Sequence, residues 1–486
     1  MKKWMCLLVA LSMVLGSAAC GGAPDAPATT RAQTQETTAA APAEAATEAA
    51  EDKIQLTLGI YPESTNEAMI AAYDVYMANY AKRRPDVNVI PAHYFYALET
   101  IVPLAESGSL PVIFEPWYTE PQKLIRAGYV RPVTELLKER GWDEQINPSI
   151  RDLLSADGEI YGVPRDAYAL GLQINMELFE EAGLVEDGVP LYPKTWDELA
   201  ETGKQIKEAT GSAGLCLLAM DNAGGWHWTN IAWAFGAHPL SIDNGDGTFT
   251  ANLNTPEAIE AMEYISALKW EHDILTADPL TENWGTGFTQ LGVSNAAMYI
   301  GANDAVDQPT VVNGLPLEDF ALVPLPAGPG GQYSLNGGTV YMFAANATDE
   351  QVDAALDFMI SIGRAPEIGP ELIEGLTEDA RGRKENGAPV LRRFPAWVGS
   401  AYANTEAAAI SPFLNVDMRL YQDYFDKVAE PGNLRLEEQG LTQEMYAEIT
   451  KVLQAVLSDE NADIPALLEA ANHNYQIMLN DAGIGK

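Results

Sequence analysis

An α/β fold is predicted by two features of the 486-residue sequence. Short β-like runs alternate with amphipathic helical patterns, which is typical of mainly parallel sheets covered by helices. From Lys53 onward the chain is long enough for two domains of ordinary size, and no apolar run in this part reaches transmembrane length. We therefore expect two α/β domains.

The first elements are predicted to follow each other as strand, helix, strand, strand and helix. The runs IQLTLGIY (54–61), VNVIPAHY (87–94) and PVIFEPW (111–117) are rich in β-branched and aromatic residues and predict strands. A helix between the first two strands ends before Pro85, and the helix PQKLIRAGY ends at Gly128.

Capping residues mark the ends of the later helices. Asn175 suits an N-cap, and Gly183 suits the left-handed position that follows the same helix. Thr195 and Glu198 have the spacing of a capping box, and Thr255 opens another helix. These residues predict helix boundaries and carry no functional information by themselves.

Charge and cysteine content exclude several classes of partner and bond. The sequence contains 69 acidic and 29 basic residues and has a formal net charge of −40. Such a surface repels nucleic acid and anionic lipid headgroups, so we expect neither as a partner. Cys216 is the one cysteine after the N-terminal segment, so packing without disulfides must stabilise the folded body.

The N-terminal segment is typical of a secretory signal followed by a lipid attachment site. Residues 1–19 combine two lysines, an apolar run and small residues, and are predicted to be a signal peptide. The following GSAACGG resembles a bacterial lipobox, in which Cys20 is acylated, although Ser17 stands where Leu is usual. An ordinary secretory signal with an incidental Cys20 is the alternative. Residues 20–52 are predicted to form a disordered tether.

One segment of the sequence indicates a family. The run DGEIYGVPRDAYALGLQINMELFEEAGL (157–184), followed by PKTWDEL (193–199), resembles the signature of bacterial extracellular solute-binding proteins of family 1, the sugar-binding receptors of ABC importers. Further segments follow the family's order, namely AESGSLPVIFEPW, TGFTQLGVSNAAMYIGA, NGGTVYMF and IPALLEAANHNYQIML. The resemblance covers nearly all of the chain from residue 53.

The resemblance implies a maltose-binding-protein-like fold, the periplasmic-binding-protein arrangement of two discontinuous α/β lobes. A multi-strand hinge joins the lobes, and the ligand cleft lies between them. The implied boundaries are residues 53–165 plus about 340–362 for the first lobe, and residues 166–339 plus about 363–486 for the second.

The resemblance implies that the chain crosses between the lobes near residues 164–169, again near residues 336–341, and a third time after Ile362. Gly337 and Gly338 suit a hinge at the second crossing, because glycine absorbs large backbone changes at little cost. A turn or a close backbone contact is the alternative explanation for the pair.

The sequence contains no recognisable catalytic or metal-binding constellation. GxSxG, Walker, HExxH and CxxC motifs are absent, and the five histidines lack metal-ligand spacing. His227 alone has suggestive neighbours, since it lies between two tryptophans. The run DNGDGTF (243–249) resembles a calcium loop, but apolar residues occupy two ligand positions, so we predict a hairpin turn. We expect a non-enzyme without cofactor or metal.

The loops expected at the cleft combine aromatic rings with polar side chains. A sugar offers C–H faces that pack on rings and hydroxyl groups that need hydrogen bonds. The residues expected to bind ligand are Tyr61, Glu63, Glu115, Trp117, Tyr118, Arg165, Asp166, Trp226, Trp228, Trp284, Asn303 and Asn336.

Two of these positions need comment. Trp233 lies seven residues after Trp226, which is a helical spacing, so we expect one of this pair in the core. Asn303 stands where the family often has Trp, which indicates a more polar subsite.

The resemblance implies a monomeric, lipid-anchored receptor on the extracytoplasmic face of a bacterial cell membrane. It would bind a sugar or oligosaccharide by lobe closure and deliver it to the transmembrane subunits of an ABC importer. A Gram-positive-type surface and a periplasm are both compatible with the tether, and a polyol or another polar solute is an alternative ligand. A cell-surface glycan-processing enzyme and a solute sensor for a signalling receptor are the alternative functions.

Overall fold

The computed structural model describes residues 53–62, 64, 67–94, 96–394 and 396–486, without the side chains of Glu67, Ala68, His93, Leu98 and Glu99. The predicted signal peptide, Cys20, the tether and Glu63 lie outside the described residues and stay predictions. Within the described part, no helix is both long and apolar enough to cross a membrane.

The strands are short and distributed along the whole described chain. Their bounds are β1 (Ile54–Tyr61), β2 (Val87–His93), β3 (Ile113–Phe114), β4 (Ser155–Ala156), β5 (Glu159–Ile160), β6 (Gly162–Pro164), β7 (Tyr168–Asn175), β8 (Val185–Glu186), β9 (Val189–Pro190), β10 (Ala213–Cys216), β11 (Ser241–Asp243), β12 (Phe249–Ala251), β13 (Ala296–Ala302), β14 (Phe320–Val323), β15 (Ser334–Gly337), β16 (Val340–Phe343) and β17 (Leu434–Leu436).

The helices alternate with these strands. Their bounds are α1 (Glu67–Arg83), α2 (Leu98–Glu106), α3 (Pro121–Arg126), α4 (Thr134–Arg140), α5 (Pro148–Leu153), α6 (Met176–Glu181), α7 (Trp196–Thr210), α8 (Ala223–Phe235), α9 (Pro256–Trp270), α10 (Trp284–Gly292), α11 (Asp349–Ser361), α12 (Pro370–Glu385), α13 (Ser400–Ile410), α14 (Gln422–Val428), α15 (Thr442–Ser458) and α16 (Ile464–Asp481).

The predicted N-caps form, but the Thr195–Glu198 capping box forms only in part, because Glu198 accepts from the Lys194 N–H (2.7 Å) and not from the Thr195 N–H. The Asn175 side chain accepts a hydrogen bond from the Leu178 N–H (3.2 Å), and Gly183 has a left-handed φ of +70°. Thr195 and Thr255 accept hydrogen bonds in the same way at the starts of α7 and α9. These side chains satisfy backbone donors that a helix start leaves free, which explains why the boundaries could be predicted.

Each of the two main sheets covers its own hydrophobic core. The first has the order β2-β1-β3-β16-β6, and the second has the order β10-β13-β7-β15-β17 with β14 also paired to β7. Both sheets are mixed, which differs from the mainly parallel sheets expected. The antiparallel pairs all involve β7 or β16, the strands that begin just after the chain changes sheet. Strand direction after such a crossing is not encoded in local hydrophobic patterns.

The chain passes between the two sheets at the positions expected. It leaves the first sheet after β6 and enters the second at β7, and it returns between β15 and β16. A Cβ at Gly337 would lie 2.3 Å from the Tyr168 hydroxyl, and one at Gly338 would lie 2.6 Å from the Asp166 carbonyl oxygen. Both glycines therefore allow close packing of the crossing segments.

A segment after residue 362 packs in the first lobe, although the predicted boundary places it in the second. Ala396 and Trp397 belong to the first hydrophobic core, where the Trp397 ring lies 5.9 Å from the Trp142 ring. The Asn147 N–H also donates to the Ala396 carbonyl (3.1 Å). Helical capping and periodicity identify elements but carry no information about which core they join.

We expect Gly225→Ala to lower the free energy of unfolding by about 1–3 kcal/mol, because overpacking forces shifts of the surrounding backbone. A Cβ at Gly225 in α8 would lie 2.4 Å from the Cα and carbonyl oxygen of Tyr446 in α15. Gly382→Ala in α12 is the matched control, since a Cβ there meets no atom within 4 Å. Chemical denaturation should show Gly382→Ala as neutral or stabilising, and equal losses for both variants would contradict this packing.

Candidate functional site

Asp166 joins the two crossing segments. Its Oδ1 accepts a hydrogen bond from the Thr339 N–H (2.9 Å), and its backbone carbonyl accepts one from the Tyr118 hydroxyl (2.8 Å). Its Oδ2 also lies 2.8 Å from Nη1 of Arg165, whose Nε lies 3.3 Å from Glu115 Oε1. Burial raises the pKa of Glu115, although the Arg165 charge opposes this shift. The carboxylates and guanidinium thus fix the geometry at the base of the cleft.

A cavity of about 430 Å³ opens beside this network and is lined by three tryptophans. Trp117 comes from the first lobe, whereas Trp226 and Trp284 come from the second. We call this space the tryptophan cavity. Other residues on its wall are Thr119, Tyr168, Asn222, Asp304, Glu437, Gln443 and Tyr446.

Local structure holds each of these tryptophans in place. Trp117 follows β3, bridges to Thr339 of the hinge, and packs edge-on to Tyr96 with ring centroids 5.5 Å apart. Trp226 lies in the first turn of α8, and Tyr168 contacts it edge-on at 6.4 Å. Trp284 begins α10 after a capping box at Asn283, and 47% of its surface is exposed. Such rings can pack against the C–H face of a sugar.

Glu437 supplies a buried carboxyl group to the same cavity. It accepts a hydrogen bond from the Tyr446 hydroxyl (3.0 Å), and burial raises its pKa to about 8, with a further contribution from Glu120 of the first lobe. At neutral pH the group is mainly protonated, so it can donate a hydrogen bond as well as accept one.

We expect stability to fall as pH rises between about 4.5 and 8, because of the raised pKa of Glu437. In that window the folded state holds a proton that the unfolded state has released, so raising the pH favours unfolding. Glu437→Gln should therefore make the decline of Tm with pH shallower. Glu260→Gln, an exposed substitution on α9, should leave it unchanged. Identical pH profiles for Glu437→Gln and the unsubstituted protein would contradict the assignment.

A second cavity of about 280 Å³ adjoins the first, and Asp304 lines both. Five arginines lie on its wall, and we call it the arginine cavity. They are Arg165, Arg364, Arg383, Arg392 and Arg393. Asp166 and Asn303 also line it, and the Asn303 side chain accepts a hydrogen bond from the Ala169 N–H (2.9 Å).

The structure thus brings together six of the predicted site residues. Three tryptophans line the tryptophan cavity, while Arg165, Asp166 and Asn303 line the arginine cavity. Glu115 and Tyr118 support the hinge behind these surfaces through Arg165 and Asp166.

Trp228 and Asn336 are placed away from both cavities, which corrects their predicted role in ligand contact. Trp228 has no exposed surface and lies in the core of the second lobe. Asn336 is buried in β15, where it pairs with Ala169 of β7. Tyr61 is also buried, and its hydroxyl donates to Asp74 (2.9 Å).

His227 is an internal residue of the second lobe. Its Nδ1 accepts a hydrogen bond from the Leu218 N–H (3.4 Å), and burial lowers its pKa to about 3. A neutral, enclosed imidazole does not offer a proton to the cleft at neutral pH. Among the described residues, no group of three or more histidine, cysteine, aspartate or glutamate side chains could hold a metal ion.

Sequence reasoning missed several wall residues. Tyr168 lies two positions after Asp166 at the first crossing, so the motif that indicated Asp166 could also have indicated Tyr168. Glu437 and Tyr446 reach the cavity because β17 pairs with β15, a contact between distant parts of the chain. No local pattern signals that pairing.

Two α/β lobes, two crossing segments and a cavity lined from both lobes define a two-lobed solute-binding protein. The chain belongs to the family of bacterial extracellular solute-binding proteins, whose family model matches residues 62–363, more than half of its length.

Individual relatives are more distant. A Brucella abortus protein that is named only as a binding protein is 26% identical over 273 residues, which cover 54% of this chain and 60% of that protein. The chain thus spans about three fifths of the length of the first curated relatives that it matches.

Solved structures show the same fold over most of the chain. An ABC transporter solute-binding protein from Thermotoga lettingae, bound with α-D-tagatose, has a TM-score of 0.67 at 16% identity and covers 88% of this chain and 100% of its own. The GacH receptor of Streptomyces glaucescens, known in complex with acarbose, has a TM-score of 0.65 at 17% identity and covers 88% and 98% respectively.

Proposed function

We propose that this protein is the extracytoplasmic receptor of an ABC importer and binds a sugar or oligosaccharide in the tryptophan cavity without chemically altering it. The ligand-bound, closed receptor would deliver its solute to the transmembrane subunits of the importer. Family membership supports the receptor role, and the carbohydrate ligands of the Thermotoga and Streptomyces neighbours support the ligand class.

The observation that carries the proposal is the position of Trp117 opposite Trp226 and Trp284. A ligand packed against all three rings contacts both lobes at once. It therefore binds the closed arrangement more tightly than an open one and shifts the population toward closure.

Polar contacts between the lobes lie at the rim of the same cavity. The Lys123 ammonium of α3 pairs with Glu444 of α15 (2.8 Å), and the Gln443 side-chain amide donates to the Thr119 hydroxyl (3.2 Å). Because the Lys123 and Glu444 side chains are partly exposed, their ion pair contributes little alone, which suits a joint that must open and close.

The test of the proposal is a screen of the purified protein against a library of mono- and oligosaccharides by thermal shift. Every sugar that raises Tm is then incubated with the protein, and chromatography checks for products. A raised Tm without products supports a receptor. Product formation would instead indicate the glycan-processing enzyme, and a library without any Tm shift would contradict the sugar proposal.

The anchor is proposed to be a lipid on Cys20, which would hold the body at the membrane through residues 20–52. We expect Cys20→Ala to release the protein into the medium or periplasm, because the lipid provides the membrane affinity. Cys6→Ala lies within the predicted signal and should leave the protein membrane-bound. Fractionation followed by immunoblotting measures both, and retention of the Cys20→Ala protein in the membrane would contradict acylation there.

A further inference from the structure

The arginine cavity concentrates positive charge in a strongly acidic protein. Five arginines line it, although the chain has only 29 basic residues against 69 acidic ones. The protein's overall field disfavours anions, so a local cluster of arginines is what an anionic group would need in order to bind.

Three of the five arginines already have partners. Arg165 pairs with Glu115 and Asp166, and Arg393 Nη2 lies 2.6 Å from Asp379 Oδ2. The Nε of Arg383 donates to the Pro389 carbonyl (3.2 Å). These contacts hold the wall of the cavity in a fixed shape.

The other two arginines keep unused donors. The half-buried Arg364 side chain makes no hydrogen bond or ion pair with any described residue, and its charge is opposed by Arg165 and favoured by Asp166. Arg392 is exposed and contacts Phe425 through a cation–π interaction at 5.9 Å. A guanidinium group whose N–H donors make no direct bond to a carboxylate keeps those donors for an anion.

Four acidic side chains also line the arginine cavity, but they repel a bound anion less than four free carboxylates would. Asp166 and Asp379 are paired with arginines. Desolvation by the surrounding residues and the nearby Asp166 carboxylate raise the pKa of Asp304 to about 7, and burial raises the pKa of Glu406. Near neutral pH the Asp304 carboxyl group therefore carries part of its full charge or can donate a hydrogen bond.

We propose that the arginine cavity binds an anionic group, a carboxylate or a phosphate, on the same sugar whose ring packs in the tryptophan cavity. The two cavities meet at Asp304, so one ligand can occupy both. This inference rests on the proposed function and narrows its substrate class to acidic sugars or sugar phosphates. Arg364 is the residue assigned to hold the charged group.

The test compares matched ligands by isothermal titration calorimetry. The probes are glucose, glucuronate and glucose 6-phosphate, the corresponding galactose series, and neutral and uronate trisaccharides. We expect at least one acidic member to bind about tenfold or more tightly than its neutral counterpart, with a preference that weakens at high salt. Comparing the uronates with the sugar phosphates shows whether the cavity binds a carboxylate or a phosphate.

Substitutions in the arginine cavity test whether this cavity causes the preference for acidic over neutral sugars. Arg364→Gln and Arg392→Gln should each reduce the acidic-to-neutral affinity ratio. Because Arg392 is exposed, its substitution does not threaten folding. Arg364→Lys should restore part of the ratio, and Arg419→Gln, an exposed arginine paired with Asp417, should not change it.

Two results would overturn the inference, and they can be told apart. If neutral and acidic members bind equally, or if both glutamine variants keep the full preference, the anion site is wrong while the sugar receptor stands. If no sugar of either kind binds, the proposed function fails and the anion site fails with it.

Discussion

Replacement of Trp117, Trp226 or Trp284 by alanine is expected to lower affinity for the bound sugar by about 30-fold or more, the loss typical of a buried aromatic anchor. Each ring lines the tryptophan cavity, and each is held by neighbouring aromatic rings in a fixed orientation. Because the rings come from both lobes, removing any one of them also weakens the ligand's preference for the closed state. Isothermal titration with the sugar that gives the largest thermal shift measures the loss.

Trp270→Ala is the matched control for these variants. Trp270 lies at the end of α9, where its indole N–H donates to the Val456 carbonyl (3.0 Å), and it lines neither cavity. Its loss should lower Tm and leave affinity unchanged. If all three cavity variants bind as tightly as the unsubstituted protein, the site assignment is wrong.

Gly338→Ala is expected to weaken sugar binding about tenfold or more, because overpacking at a hinge shifts the lobes out of register. A Cβ at this position would lie 2.6 Å from the Asp166 carbonyl oxygen and 2.8 Å from the Tyr118 ring. Both groups belong to the network that joins the crossing segments. Titration calorimetry gives the affinity, and small-angle X-ray scattering with and without sugar reports closure.

Gly399→Ala controls for the backbone effect of adding a methyl group. Gly399 also has a positive φ, but a Cβ there would meet no atom within 4 Å. It lies before α13, outside the crossing segments at residues 164–169 and 336–341, so affinity and closure should be unchanged. Normal closure in the Gly338→Ala protein would show that this glycine is not required for hinge geometry.

The sequence was most informative where local patterns determine structure. Asn175 and Thr195 cap helices as predicted, because capping depends on side chains a few residues from the backbone groups they satisfy. The tryptophans that follow a strand or begin a helix, Trp117 and Trp284, reach the cleft because loops and element ends lie at its surface.

The error at Trp228 has a clear physical reason. Trp226 and Trp228 lie two residues apart in α8, and residues at that spacing point to nearly opposite faces of a helix. Trp233, seven residues after Trp226, lies on nearly the same helix face two turns further along, where it is buried and its indole N–H donates to Glu438 (2.9 Å). Once Trp226 faces the cavity, however, Trp228 must enter the core. A stricter use of helical geometry would have predicted that Trp226 and Trp228 cannot both contact the ligand.

Other features depend on contacts between distant parts of the chain. Glu437 reaches the tryptophan cavity through the pairing of β17 with β15, and Arg364 reaches the arginine cavity at the end of α11. The raised pKa of Glu437 and the lack of an ion pair at Arg364 depend on residues that are near in space and distant in sequence. The sequence alone does not reveal these neighbours.

A crystal structure of the protein with the sugar that gives the largest thermal shift tests the central claim most directly. We expect electron density for the sugar between Trp117 of the first lobe and Trp226 and Trp284 of the second, with the lobes closed around it. Density for the sugar outside the tryptophan cavity, or contacts with only one lobe, would contradict the proposed mode of binding.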